Sequence, residues 1–241
     1  MFRSWARSIV DLVYPRRCPA CKRSSRGVAY LAFDICRDCW QSIAFNTPPF
    51  CAACGRHLRE TSPDVLCEKC RLSRPEFDRA FSPCVYDGTL KKLIHEFKYG
   101  GKDYLWQPLC SLLLDFIRDY RLPMGEIDGI VPVPLYPGRL REREFNQAEL
   151  LAAGISRAHA IPLLAKALAR TKQTARQTDL PPAGRRENVR GAFRVHEPAA
   201  VRGKRLLIVD DVLTTGSTAG AVSRALKEAG SAYCLVLTIA S

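Results

Sequence analysis

Asp210 and Asp211 stand side by side at the end of an apolar run, Leu206–Val209, and Thr214, Thr215, Gly216, Ser217 and Thr218 follow almost at once. An uninterrupted apolar run bounded by polar residues reads as a buried strand, and the small-residue stretch reads as a turn into a helix. In a parallel sheet, ligands bind beyond the carboxyl ends of the strands. Backbone N–H groups, hydroxyls and the positive end of the next helix make such a turn a phosphate site. Carboxylates beside a phosphate would repel it unless something lies between. Adjacent sugar hydroxyls can donate to the two carboxylates while a 5-phosphate sits one ribose length away in the turn. The ligand class expected from these residues is a ribose 5-phosphate.

A second chemistry is carried by cysteine. Eight of the 11 cysteines form four CxxC pairs in the first 70 residues: Cys18/Cys21, Cys36/Cys39, Cys51/Cys54 and Cys67/Cys70. Two thiolates two residues apart reach one tetrahedral Zn²⁺ from a single turn, and two such turns close a Cys₄ site. Sequential pairing predicts two consecutive zinc ribbons; a cross-braced pairing, Cys18/Cys21 with Cys51/Cys54, is compatible with the same spacing. Four thiolates leave no open position for water, so the role is structural. Cys84, Cys110 and Cys234 stand alone in apolar surroundings and read as buried bystanders.

The chain of 241 residues carries a net charge of +13, spread unevenly. Between Lys166 and Arg205 there are 11 Lys or Arg against Asp179, Glu187 and Glu197. A polyanion should be drawn to this stretch, with Arg170, Lys172, Arg176, Arg185, Arg186 and Arg190 as candidate contacts. No stretch approaches the uninterrupted apolar length of a membrane span, and the N-terminus lacks signal-peptide character. A cytoplasmic location is expected. Phe2, Trp5, Ile9 and Leu12 recur at helical spacing and predict an N-terminal helix packed on its own domain.

These residues need a scaffold. The fall in cysteine density predicts a boundary near residue 75, with the helix and ribbons in 1–75 and a second domain in 76–241. That domain alternates helical and strand patterns, which predicts an α/β fold with a mostly parallel sheet and helices on both faces. The polar, basic segment 170–193 is expected to be a mobile loop. His95 has no ligand partner at i+4 and reads as a packed or surface histidine.

The strand, diacid and Thr/Gly-rich turn resemble the phosphoribosyl pyrophosphate (PRPP) motif of type I phosphoribosyltransferases. With the four CxxC pairs, FKYGGKDYLWQPL, PVPLYPGRLREREFNQAELLA and the basic loop, the whole chain resembles the ComF family of competence proteins. The resemblance implies an N-terminal zinc ribbon module and a C-terminal phosphoribosyltransferase-like domain. Asp210 and Asp211 would be the catalytic pair, meeting ribose hydroxyls directly or through Mg²⁺. Thr214, Thr215, Gly216, Ser217 and Thr218 would hold the 5-phosphate. Pro134, Leu135, Tyr136, Arg139 and Arg143 would form the pyrophosphate side, and the basic loop a mobile hood. Implied partners are PRPP or ribose 5-phosphate, single-stranded DNA and proteins of the competence machinery. Where the family usually reads RGFNQ, this chain has REFNQ, with Glu144 in the glycine position.

Overall fold

The computed structural model describes residues 17–24, 34–59, 65–172 and 188–241. The segment carrying Phe2, Trp5, Ile9 and Leu12, together with Arg176, Arg185 and Arg186, lies outside the described residues.

The first two helices are short and belong to the ribbons: α1 (Arg37–Gln41) and α2 (Glu68–Leu72). Each begins directly after the first cysteine of a CxxC pair, with Cys36 and Cys67 at the N-caps. One helical turn then returns the second cysteine to the same side.

The second domain follows as β1 (Arg79–Phe81), α3 (Gly88–Tyr99), α4 (Trp106–Asp119), β2 (Gly129–Pro132), α5 (Pro137–Arg143) and α6 (Gln147–His159). It continues as β3 (Leu168–Arg170), β4 (Phe193–Val195), α7 (Pro198–Val201), β5 (Arg205–Val212), α8 (Ser217–Glu228) and β6 (Tyr233–Ala240). The main sheet is parallel throughout, in the order β1-β6-β5-β2. Asp210 lies opposite Thr238 in the β5–β6 register. A separate antiparallel pair is formed by β3 with β4, Leu168 to Arg170 opposite Val195 to Phe193.

Alternation along the central strands divides the core. Leu207, Val209, Leu235, Leu237 and Ile239 face one side and pack with α3, α4 and α6. Leu206, Ile208, Cys234 and Val236 face the other, against α8. Leu206, Leu207, Ile208 and Val209 are fully buried. Burial of such side chains stabilises by about 1.5–3 kcal/mol each, which makes β5 a rigid support for the carboxylates at its end. A Cβ on Gly154 of α6 would lie 2.5 Å from Cys110 Sγ of α4, so only glycine permits this helix approach.

The ribbons join the sheet instead of hanging from it. Ala80 N donates to Ala53 O, and Gly55, at φ +66°, lies so near β1 that a Cβ there would be 2.2 Å from Ala80 O. Phe50 packs its ring against Phe81, Phe116 and Tyr120. Among the described residues no helix is long and apolar enough to cross a membrane.

Candidate functional site

The eight paired cysteines form two groups, Cys18/Cys21/Cys36/Cys39 and Cys51/Cys54/Cys67/Cys70, each with its sulfurs within 4.8 Å of one another. This is the sequential pairing; the cross-braced alternative is not what the fold adopts. Cys21 to Cys36 and Cys54 to Cys67 are each separated by 3.7 Å between sulfurs. A tetrahedron with Zn–S bonds of about 2.3 Å has edges of about 3.8 Å, so both tetrads fit a structural zinc ion. Cys84, Cys110 and Cys234 are buried, and burial pushes the Cys84 thiol up to about 12 and Cys110 to about 11. His95 is exposed and packs its ring, tilted, against Tyr99.

At the carboxyl edge of the sheet, Asp211 is 9% exposed and pairs with Lys98 from the end of α3, Nζ to Oδ1 2.8 Å. Asp210 accepts the backbone N–H of Asp211 at 2.8 Å. It keeps partial solvent contact but is densely surrounded by protein. Burial first, and the neighbouring Asp211 second, push the Asp210 carboxyl up to about 7, against the pull of Lys98 and Arg170. Burial works to lower the Lys98 pKa, yet Asp211 and Asp210 outweigh it and leave the ammonium more firmly protonated than usual.

The sequence reasoning missed Lys98. The signal was present: Leu90, Ile94 and Lys98 are spaced by four, so the lysine falls on the apolar stripe of its helix. A lysine on a core-facing stripe either snorkels to water or meets an anion, and this one meets Asp211.

Beyond Leu213 the chain turns. Gly216 takes φ +78° as the N-cap of α8, a conformation that glycine adopts without strain. The Thr215 hydroxyl accepts from Ser217 N at 3.3 Å and lies 2.8 Å from Ser217 Oγ. Lys69, one residue before the zinc-site Cys70, donates from Nζ to Thr215 O at 3.0 Å. The second ribbon therefore braces the turn. Thr214 is exposed, while Thr215, Gly216 and Thr218 are half-buried and Ser217 is buried.

Pro134, Leu135 and Tyr136 form the half-buried segment after β2, and Arg139 and Arg143 project from α5. Arg143 stacks on the Tyr99 ring and donates to Tyr99 Oη at 3.0 Å and to Gln147 Oε1 at 3.1 Å. Arg170, at the end of β3, is buried over the Phe193 ring. Burial, followed by repulsion from Arg139 and then Arg143, lowers its pKa to about 10, with Asp210 opposing. Arg139 and Arg143 are thus near enough to Arg170 to repel it, and Arg170 in turn is drawn by Asp210. Lys172 and Arg190 are exposed and meet beside the β3–β4 pair, Lys172 Nζ donating to Arg190 O at 3.4 Å.

The FNQ residues after Glu144 have architectural roles. Asn146 caps α6, accepting from Ala148 N and donating to Val133 O at 3.1 Å each. Phe145 packs on Phe97. Glu144 is exposed, with φ +66° at the end of α5. That left-handed geometry is why glycine suits the position.

The Double zinc ribbon domain model matches residues 9–71 and the Phosphoribosyl transferase domain model matches residues 148–240. Competence protein F of Haemophilus influenzae is 33% identical over 220 residues, covering 89% of this chain and 92% of that protein. DNA utilization protein YhgH of Escherichia coli (strain K12) is 32% identical over 234 residues, covering 95% of this chain and all of that protein. Competence protein ComFC of Bacillus subtilis is 26% identical over 209 residues, covering 82% and 80%. With its two cysteine tetrads followed by a phosphoribosyltransferase-type domain, the chain belongs to the ComF family of competence proteins.

Proposed function

We propose that this protein handles single-stranded DNA during DNA uptake in natural transformation and binds PRPP or ribose 5-phosphate at the carboxyl edge of its sheet. The observation that carries the ligand reading is the diacid Asp210/Asp211 at the end of β5, one turn before the Thr214–Thr218 nest and within the phosphoribosyltransferase match. The names of its relatives, competence protein F and DNA utilization protein, support the DNA reading. So does the basic stretch from Lys166 to Arg205. Proteins of the competence machinery are the corresponding partners, and the cytoplasm is the corresponding location.

Two carboxylates suit Mg²⁺, which takes one or two of them together with substrate phosphates. Asp210 and Asp211 are the groups that would hold the ion brought in with PRPP. It would neutralise charge on pyrophosphate. Lys98 already offers Asp211 a cation, so it orients that carboxylate and competes for it.

A second reading, turnover of PRPP by a phosphoribosyltransferase, is favoured by one observation: Arg170, buried and attracted by Asp210, has Arg139 and Arg143 as cationic neighbours. Three guanidiniums match the charge of a departing pyrophosphate. A PRPP-sensing regulator would use the same pocket without chemistry.

The DNA reading is tested by the salt dependence of binding to a labelled single strand. Affinity should fall steeply between low and physiological salt, and Arg185→Ala with Arg186→Ala should flatten the log–log slope by about 1.4, about 0.7 for each lost phosphate contact on a single strand. Absence of binding at low salt would remove the DNA reading.

A further inference from the structure

Beside the phosphate turn, on the side of the second ribbon, lies a cleft of about 600 Å³. Its walls are the end of α2 and the segment from Glu76 to Phe77 on one side and Val189–Phe193 on the other; its floor is the turn Thr214–Ser217 and one face of α8. A lone phosphate fills little of such a volume, which lies in the range of sites for nucleotide-sized ligands.

The lining is cationic. Arg56, Lys69, Arg74, Arg190 and Arg224 face it, against the carboxylates Glu76 and Glu228. Arg224 is held by Glu76 at 2.5 Å and Lys69 is spent on the turn, whereas Arg56 and Arg74 are exposed. The aromatic members, Phe77 and Phe193, are 4% and 7% exposed, so they give walls and no stacking platform. Such a cleft attracts a chain of phosphates and does not read bases.

Polarity follows from the neighbouring chemistry, resting on the reading of Asp210/Asp211 as a site for sugar hydroxyls. The turn Thr214–Ser217 lines the cleft and Asp210 and Asp211 do not, so a sugar with its 5′-phosphate in the turn and its hydroxyls at the diacid would present that phosphate to the cleft. An upstream nucleotide can be esterified there. Within a DNA strand an internal deoxyribose has no free hydroxyl, and only the 3′-terminal nucleotide keeps one.

We propose that the ribbon-side cleft and the phosphate turn form one site for the 3′ end of a single strand, with the terminal sugar at Asp210/Asp211 and the upstream phosphates along Arg56 and Arg74. Ribose 5-phosphate and the strand end compete for the same turn. A ribonucleotide at the 3′ terminus, with two hydroxyls, binds about tenfold tighter than a deoxyribonucleotide.

The test uses the full zinc-loaded chain. Titration calorimetry measures ribose 5-phosphate and two deoxytrinucleotides, one ending in a 3′-hydroxyl and one in a 3′-phosphate. The 3′-hydroxyl trinucleotide should be displaced by ribose 5-phosphate, and the 3′-phosphate form should bind at least about tenfold more weakly, because a further anion meets the carboxylates. Arg56→Ala with Arg74→Ala, both on the surface, should weaken the 3′-hydroxyl trinucleotide about tenfold and leave ribose 5-phosphate within about twofold. Equal affinity for the two trinucleotides, absence of competition, or indifference to the arginine pair overturns this inference while ribose 5-phosphate binding stands. Failure of ribose 5-phosphate itself to bind overturns the diacid reading and the inference with it.

Discussion

Replacing Lys98 with methionine keeps the length and apolar stem of the side chain and removes one charge from the diacid. Lys98 and Asp211 are 18% and 13% exposed at the side chain and 2.8 Å apart. The gross attraction at that distance is about 6 kcal/mol at an effective dielectric constant near 20. Desolvation offsets part of it, but the variant leaves a buried carboxylate uncompensated, a change that costs about 3–5 kcal/mol. Partial exposure argues for the lower end, about 3 kcal/mol, and for a domain of this size that is about 6–12 °C in Tm.

The loss should depend on pH. Asp210 ordinarily titrates at 3.8 and is pushed up to about 7, so the fold favours its protonated form. Its contribution is greatest below 3.8 and is lost as pH rises through about 7. Without Lys98 the Asp210 carboxyl rises further, and both carboxylates must ionise with no lysine beside them. Thermal melting of the zinc-loaded variant should therefore show a larger drop in Tm at about pH 8 than at about pH 6. An equal drop at both pH values, or none at either, would refute the assignment of Lys98 as counter-ion to the pair.

The remaining predictions concern the scaffold. Metal analysis should find two zinc ions per chain, and a strong chelator should unfold the ribbons, since metal binding contributes about 10 kcal/mol or more to folding of such a module. Gly55→Ala should destabilise by about 2–4 kcal/mol in chemical denaturation, because its Cβ meets the backbone of β1 at a positive φ. Glu144→Gly should raise stability by about 1 kcal/mol and leave phosphate affinity unchanged, since the side chain is exposed and its φ of +66° strains a non-glycine residue.

The spacing of residues made the metal tetrads and the phosphate turn legible, because both depend on neighbours close in sequence. A CxxC turn and a strand–turn–helix are local objects, and β5 and α8 formed as the apolar run and the small-residue turn implied. Arg79–Phe81, Leu168–Arg170 and Phe193–Val195 are three-residue strands, too short for alternation to register. Lys98 escaped because its partner, Asp211, is more than a hundred residues away and only the sheet brings them together. The cleft escaped for the same reason: its arginines come from the second ribbon and the segment just after it (Arg56, Arg74), the segment before β4 (Arg190) and α8 (Arg224), and its floor from the turn before α8. Glu144 looked like a chemical departure, but its geometry makes it a matter of backbone conformation.

The central claim is that Asp210, Asp211 and the Thr214–Thr218 turn hold a ribose phosphate. A ³¹P NMR titration of PRPP with Mg²⁺, on wild type and on Asp210→Asn with Asp211→Asn, tests it most directly. The account predicts PRPP resonances that shift with wild type and stay in place with the variant, and any released pyrophosphate would add turnover to binding. Resonances that do not move with wild-type protein, or move equally with the variant, would contradict the account.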